Sequence, residues 1–151
     1  MEVRALLDES IGFQLSRTTR KISQLLASRF EPYGVTTEQF ATLQRLAERD
    51  GVSQKELAAR AEKDPTNMTR ILDQLERKGL IARKPNAGDR RSFLVYGTEE
   101  GHRLAAALAP VERAALDSLL EGLPVETRDA FRAALDHLWK NACLQAESER
   151  E

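Results

Sequence analysis

The sequence predicts a mainly α-helical protein with one small β-hairpin. Three observations predict it. Apolar residues recur at steps of three and four over most of the 151 residues, the spacing of one buried helix face. That period changes once, between Leu80 and Thr98. Cap residues, Pro and Gly punctuate the chain at positions that delimit six helices and two strands.

Taken in order, the first helix is expected from about Asp8 to Phe30, with Ile11, Leu15, Thr18, Ile22 and Leu25 forming its stripe. Pro32 and Gly34 end it. The second starts at Thr36, where Gln39 completes a capping box. It buries Phe40, Leu43 and Leu46 and stops at Asp50-Gly51. Ser53 and Glu56 form a second capping box, opening a third helix of about ten residues that turns Leu57, Ala58 and Ala61 inward. The fourth has Asp64 as N-cap and Pro65 at its first position, where the missing N–H is harmless. Met68, Ile71, Leu72 and Leu75 lie at i, i+3, i+4 and i+7, and Gly79 closes it. Leu80–Lys84 and Ser92–Tyr96 are short strands joined by the turn-rich Pro85-Asn86-Ala87-Gly88-Asp89. Thr98 caps a fifth helix with Leu104, Leu108, Val111 and Leu119 as core positions, kinked at Pro110. After Gly122, a sixth helix begins at Pro124 and carries Phe131, Leu135, Leu138 and Ala142 on one stripe. Residues after Gln145 are expected to fray.

Composition narrows the function classes. A hydrophobic content of 41% is ordinary for a folded domain, and no apolar run reaches the length of a membrane span. Met1 to Ser10 carries acids and lacks a basic start followed by an apolar stretch, so no secretory signal is read there. Cys143 is the single cysteine, which excludes an intrachain disulfide and fits a reducing cytoplasm. His102 and His137 have no paired metal-ligand spacing, so no metal and no cofactor is expected. No nucleophile elbow or phosphate-binding glycine loop is present, which argues against an enzyme. The net charge of −1 hides an asymmetry: residues 53–96 hold ten Lys or Arg against six Asp or Glu, and the remainder is acidic. One region suited to an anionic partner and a remainder that avoids it would look like this.

Two short helices and a tight turn, the second helix bearing a polar face, suggest a helix-turn-helix. Opposite its apolar side the fourth helix presents Thr66, Arg70, Asp73 and Arg77, flanked by Asn67, Thr69 and Gln74. These groups suit base edges in a major groove, and the N-terminal half of such a helix reaches deepest, which favours Thr66, Asn67, Thr69 and Arg70 as readers. Asp73 could instead pair with Arg70 or Arg77 on an ordinary solvated face. The hairpin that follows brings Asp89, Arg90 and Arg91 near Arg83 and Lys84. An arginine at such a tip suits the narrow minor groove, with Asp89 shaping the pair.

The tract from Thr69 to Ile81, Ser53-Gln54-Lys55-Glu56-Leu57-Ala58 before it, and Gly88-Asp89-Arg90-Arg91-Ser92 and Thr98-Glu99-Glu100-Gly101 after it resemble the MarR family of bacterial regulators. The resemblance covers nearly the whole chain as a single MarR-like domain. It implies a winged helix-turn-helix over residues 36–98, with dimerisation helices at 1–35 and 99–151. By this resemblance the fourth helix is the recognition helix, Arg91 is the minor-groove arginine, and Ser53, Gln54 and Lys55 meet phosphates. It further implies a two-fold homodimer on a palindromic site in double-stranded DNA, for which Ile11, Leu15, Leu135, Leu138 and Trp139 are the interface candidates. A ligand-responsive repressor is the implied role, its small-molecule effector often aromatic or phenolic and Arg17, Arg20 and Phe40 on the pocket walls. Peroxide sensors of this kind use a cysteine in the first helix, which is absent here. A winged-helix module that binds a protein rather than DNA is the alternative.

Overall fold

Ser10 opens the first helix of the computed structural model, which describes residues 10–150. The Ser10 hydroxyl accepts the Phe13 N–H at 3.4 Å, and α1 runs Ile11–Phe30. The expected start at Asp8 lies outside the described residues. A 3-10 turn at Glu31–Tyr33 contains Pro32 and closes on Gly34, whose φ of 71° is a left-handed conformation. Helix α2 (Thr37–Glu48) has the full capping box: Thr36 accepts from Gln39 N–H at 3.1 Å and Gln39 Oε1 accepts from Thr36 N–H at 3.2 Å. Helix α3 (Gln54–Arg60) is seven residues long, shorter than expected. Only half of its predicted box forms. Ser53 accepts the Glu56 N–H, but the Glu56 carboxylate turns to Arg49 at 3.3 Å.

Helix α4 (Pro65–Arg77) starts as its sequence dictates, with Asp64 accepting the Asn67 N–H at 2.9 Å. At its end, Leu80 N–H bonds to Leu75 C=O and Gly79 N–H to Glu76 C=O, with Gly79 at φ 72°. This is a Schellman closure, and it satisfies carbonyls that would otherwise end unpaired.

The β region corrects the sequence reading. The expected hairpin is a three-stranded antiparallel sheet in the order β1-β3-β2. The unpredicted strand β1 (Val52–Ser53) pairs Val52 with Val95 and Ser53 with Leu94. Strands β2 (Ile81–Pro85) and β3 (Phe93–Gly97) each lie one residue later than expected, with Arg83 opposite Val95 and Pro85 opposite Phe93. Two residues carry too little periodicity to announce a strand, and Leu80 is taken by the closure of α4.

Helix α5 (Glu99–Leu119) continues through Pro110. Its first turn is seated by Thr98, whose hydroxyl donates to Gly79 C=O at 2.7 Å and accepts the Gly101 N–H at 3.1 Å. Of the expected core positions, Leu108 is fully buried and Leu104 and Val111 pack against the core, but Leu119 is 46% exposed. Leu119 is the last residue of α5 and belongs to the second of the chain's two compact units. Helix α6 (Val125–Ser148) extends three residues beyond Gln145 and contains no buried residue.

Two compact units result, one reaching to Ala115 and one from Leu116 onward. The core of the first gathers Phe30, Phe40, Leu43, Leu46, Leu57, Met68, Ile71, Leu72, Leu75 and Val95, each at most 1% exposed. Phe30 and Phe40 meet edge to face at 4.8 Å between centroids. In the second, Arg128 holds the turn before α6 by donating to Leu120 and Leu123 carbonyls at 2.8 and 3.1 Å.

Candidate nucleic-acid interface

Helix α4 owes its orientation to burial. Met68, Ile71, Leu72 and Leu75 are all fully buried, which fixes the opposite side toward solvent. Thr66, Thr69, Arg70 and Arg77 are exposed there, while Asn67 and Gln74 are half-buried. The surface predicted to read bases is therefore free of the chain's own core.

Beside it stands the start of α3. Gln54 Nε2 donates to Thr69 Oγ1 at 2.5 Å, and that hydroxyl donates in turn to Pro65 C=O at 2.9 Å. Ser53, Gln54 and Lys55 share one cleft with Asn86, Asp89 and Arg91 of the β2–β3 loop. The predicted phosphate contacts and the predicted wing arginine thus flank a single concavity. The loop is organised by Asn86 and Asp89: Asn86 Oδ1 accepts Gly88 N–H at 3.0 Å, and Asp89 Oδ1 accepts Arg91 N–H at 2.9 Å. Asp89 shapes the loop through the backbone of Arg91. Arg90 and Arg91 are both exposed.

Arg83, Gln74 and Lys84 are among the predicted site residues that have partners inside the protein. Arg83 reaches Asp73 at 2.8 Å and Glu76 at 2.7 Å on α4, and its side chain is only 16% exposed. It ties the wing to the helix. Asp73 therefore pairs with neither Arg70 nor Arg77 but with a strand residue that helical spacing could not reveal. Gln74 Oε1 accepts from Gln39 Nε2 at 3.0 Å, and Gln39 Oε1 accepts from Lys78 at 2.8 Å, which joins α4 to α2. Lys84 lies over the Tyr96 ring at 4.7 Å, a cation–π contact on the outer wing.

One residue that sequence reasoning passed over sits at the centre of the polar cluster. Glu38, in the first turn of α2, meets Lys63 at 3.2 Å, Arg70 at 3.1 Å and Asn67 at 3.5 Å. Arg70 also donates to Asn67 Oδ1 at 2.6 Å. The hydrogen bond and charge of Lys63 hold the Glu38 carboxyl below the usual carboxylate range, against the opposing pull of partial burial. In the sequence Glu38 is an ordinary first-turn acid, 25 to 32 residues from its partners.

The remaining predicted sites lie elsewhere. Ile11 and Leu15 on α1 are 65% and 37% exposed; Leu135, Leu138 and Trp139 on α6 are 39%, 44% and 55% exposed. Arg17 and Arg20 share an open cleft with Lys21 and Gln24 on α1. Phe40 is not part of it and is buried against Phe30. No cluster of potential metal ligands occurs among the described residues, and none of their helices is long and apolar enough to cross a membrane.

A solvent-facing second helix, its supporting first helix and an adjoining β-loop define a winged helix-turn-helix. Comparison with known proteins agrees. A profile of the MarR family matches residues 35–93. The HTH-type transcriptional repressor Rv2887 of Mycobacterium tuberculosis is 30% identical over 131 residues, covering 87% of this chain and 94% of that protein. The transcriptional repressor CouR, solved bound to a 23-mer DNA duplex, matches with a TM-score of 0.79 at 30% identity over 87% of this chain and 94% of that one. CouR from Rhodococcus jostii RHA1 solved with p-coumaroyl-CoA gives a TM-score of 0.75 at 29% identity, over 87% of this chain and 93% of its own. The chain belongs to the MarR family.

Proposed function

We propose that this protein is a transcriptional repressor that binds a palindromic operator as a homodimer in the cytoplasm, has no catalytic role, and responds to a small molecule. The observation that carries the reading is the exposed polar face of α4, fixed outward by four fully buried residues and bordered by the cleft shared by Ser53–Lys55 and Arg91. In this reading residues 36–98 bind DNA. Thr66, Asn67, Thr69 and Arg70 face base edges, with Arg77 toward the flanking backbone. Arg91 enters the minor groove, and Arg90 and Lys84 lie along the phosphates. Ser53, Gln54 and Lys55 contact phosphate, aided by the N–H groups of the first turn of α3. Arg83, Gln74 and Asp89 act by holding other groups in place.

Residues 1–35 and 99–151 supply the dimer contact. In support, α6 buries none of its residues within the chain and exposes Leu135, Leu138 and Trp139. A row of large apolar side chains left in water is characteristic of an interaction surface. A small aromatic effector is assigned to the α1 side, where Arg17 and Arg20 suit an anionic group. Its binding would favour a dimer whose two recognition helices are wrongly spaced for DNA.

A mobility-shift titration tests the reading, using a duplex that the parent selects from a random DNA pool. Parent protein should shift that duplex at concentrations that leave a scrambled duplex free. Equal shifts of both duplexes would favour a protein-binding module instead.

A further inference from the structure

We propose that Glu38, which lies on α2 outside the recognition helix, is a specificity determinant for DNA: its carboxylate holds Lys63, Asn67 and Arg70 together in the free protein, setting them for base edges and withholding their charge from phosphates at large. The inference rests on the reading of α4 as the recognition helix and adds a residue that need not touch DNA. Four distances carry it. Glu38 Oε1 accepts from Lys63 Nζ at 3.2 Å and from Asn67 Nδ2 at 3.5 Å, and Glu38 Oε2 accepts from Arg70 Nη2 at 3.1 Å. Asn67 Oδ1 then takes a second Arg70 hydrogen bond at 2.6 Å. One carboxylate thereby engages two cations and fixes which way the Asn67 amide is turned, since its NH2 is drawn to the carboxylate and its oxygen to the guanidinium.

Two physical consequences follow. A guanidinium held by two oxygens loses less rotamer freedom on meeting a guanine edge than one that swings free in water. The same carboxylate repels phosphate and partly neutralises two nearby cations, so indiscriminate binding, which is driven by counterion release, is weakened. Both effects widen the gap between operator and random DNA. Removing the charge should narrow that gap by strengthening the non-specific term.

The test compares parent, Glu38→Gln, Arg70→Ala and the double variant, each as the full chain. The probes are the duplex selected by the parent and a scrambled duplex of the same length and base composition, titrated across a salt series. Glu38→Gln keeps the side chain's size and one acceptor oxygen at a half-buried position. The expected result is roughly fivefold tighter binding of the scrambled duplex at low salt, with a log–log salt slope steeper by about one as a cation is freed. Preference for the selected duplex should fall correspondingly, and most of that fall should be absent when Arg70 is already alanine. Glu38→Ala should move the same quantities in the same direction. A Glu38→Gln protein with the parent's salt slope and the parent's preference would overturn the role of Glu38 and leave the DNA reading intact. A parent protein that enriches no sequence from the pool would overturn both.

Discussion

In the proposed reading Arg70 and Arg91 carry two kinds of recognition on one surface. Arg70 leaves the solvent face of α4 already bonded to Glu38 and Asn67, whereas Arg91 is exposed on a loop whose backbone is pinned by Asp89. Replacing Arg70 by alanine should cost about 1–3 kcal/mol of operator binding and relax base preference at one position per half-site. Arg91→Ala should weaken binding with less change in sequence preference there, because a minor-groove arginine reads shape. Quantitative binding to single-base variants of the selected duplex separates the two. Arg83 should behave differently again. Its side chain is largely covered and bridges two carboxylates of α4, so Arg83→Met should lower folding stability by about 1 kcal/mol in a denaturant melt. Arg91→Ala should leave that melt unchanged. Glu38 adds a pH dependence. Its folded carboxyl titrates below its ordinary value, so its contribution to stability is present above the unfolded pKa and is lost as pH falls through the folded one. The melting difference between parent and Glu38→Gln should therefore persist at neutral pH and vanish in acid.

At the scale of elements, local chemistry explains most boundaries. Thr36 with Gln39, Asp64 with Pro65, and Gly79 after Arg77 each satisfy backbone groups within a few residues, so their structure could be read from the sequence. The features that escaped depend on distant partners. Strand β1 exists because Val52 and Ser53 meet Val95 and Leu94 more than forty residues on. Arg83 finds Asp73, and Gln74 finds Gln39, only once β2 and α2 pack beside α4. Glu38 is invisible for the same reason. The junction of α5 with the sheet is similarly constrained. A Cβ on Gly101 would come within 2.0 Å of the Leu80 carbonyl oxygen, a backbone atom that also accepts the Thr98 N–H at 3.0 Å. Gly101→Ala should thus force α5 off its seat and cost about 2–3 kcal/mol, read as a lowered denaturation midpoint. Leu72→Ala, in the fully buried face of α4, should cost about 2–5 kcal/mol by the same measurement.

In the proposed reading the whole molecule works with a second copy of itself. Periodicity placed Leu135 and Leu138 on one stripe of α6, but it cannot separate a stripe that completes a chain's own core from one that meets a partner. Their exposure within the chain favours the partner. Leu138→Glu combined with Trp139→Glu should shift the protein toward monomer in sedimentation, because a buried unpaired carboxylate opposes association. Operator affinity should fall with it, although neither residue is assigned a DNA contact. Two-fold symmetry would then dictate the target: the two recognition helices should engage successive major-groove faces about one helical turn apart, roughly 34 Å. Sequencing the duplexes that parent protein retains from a random pool tests this most directly. The expected result is an inverted repeat whose half-site centres lie about 10 base pairs apart, lost when Arg70 and Arg91 are both alanine. Retained duplexes without a common sequence, or an unchanged repeat from the double variant, would contradict it.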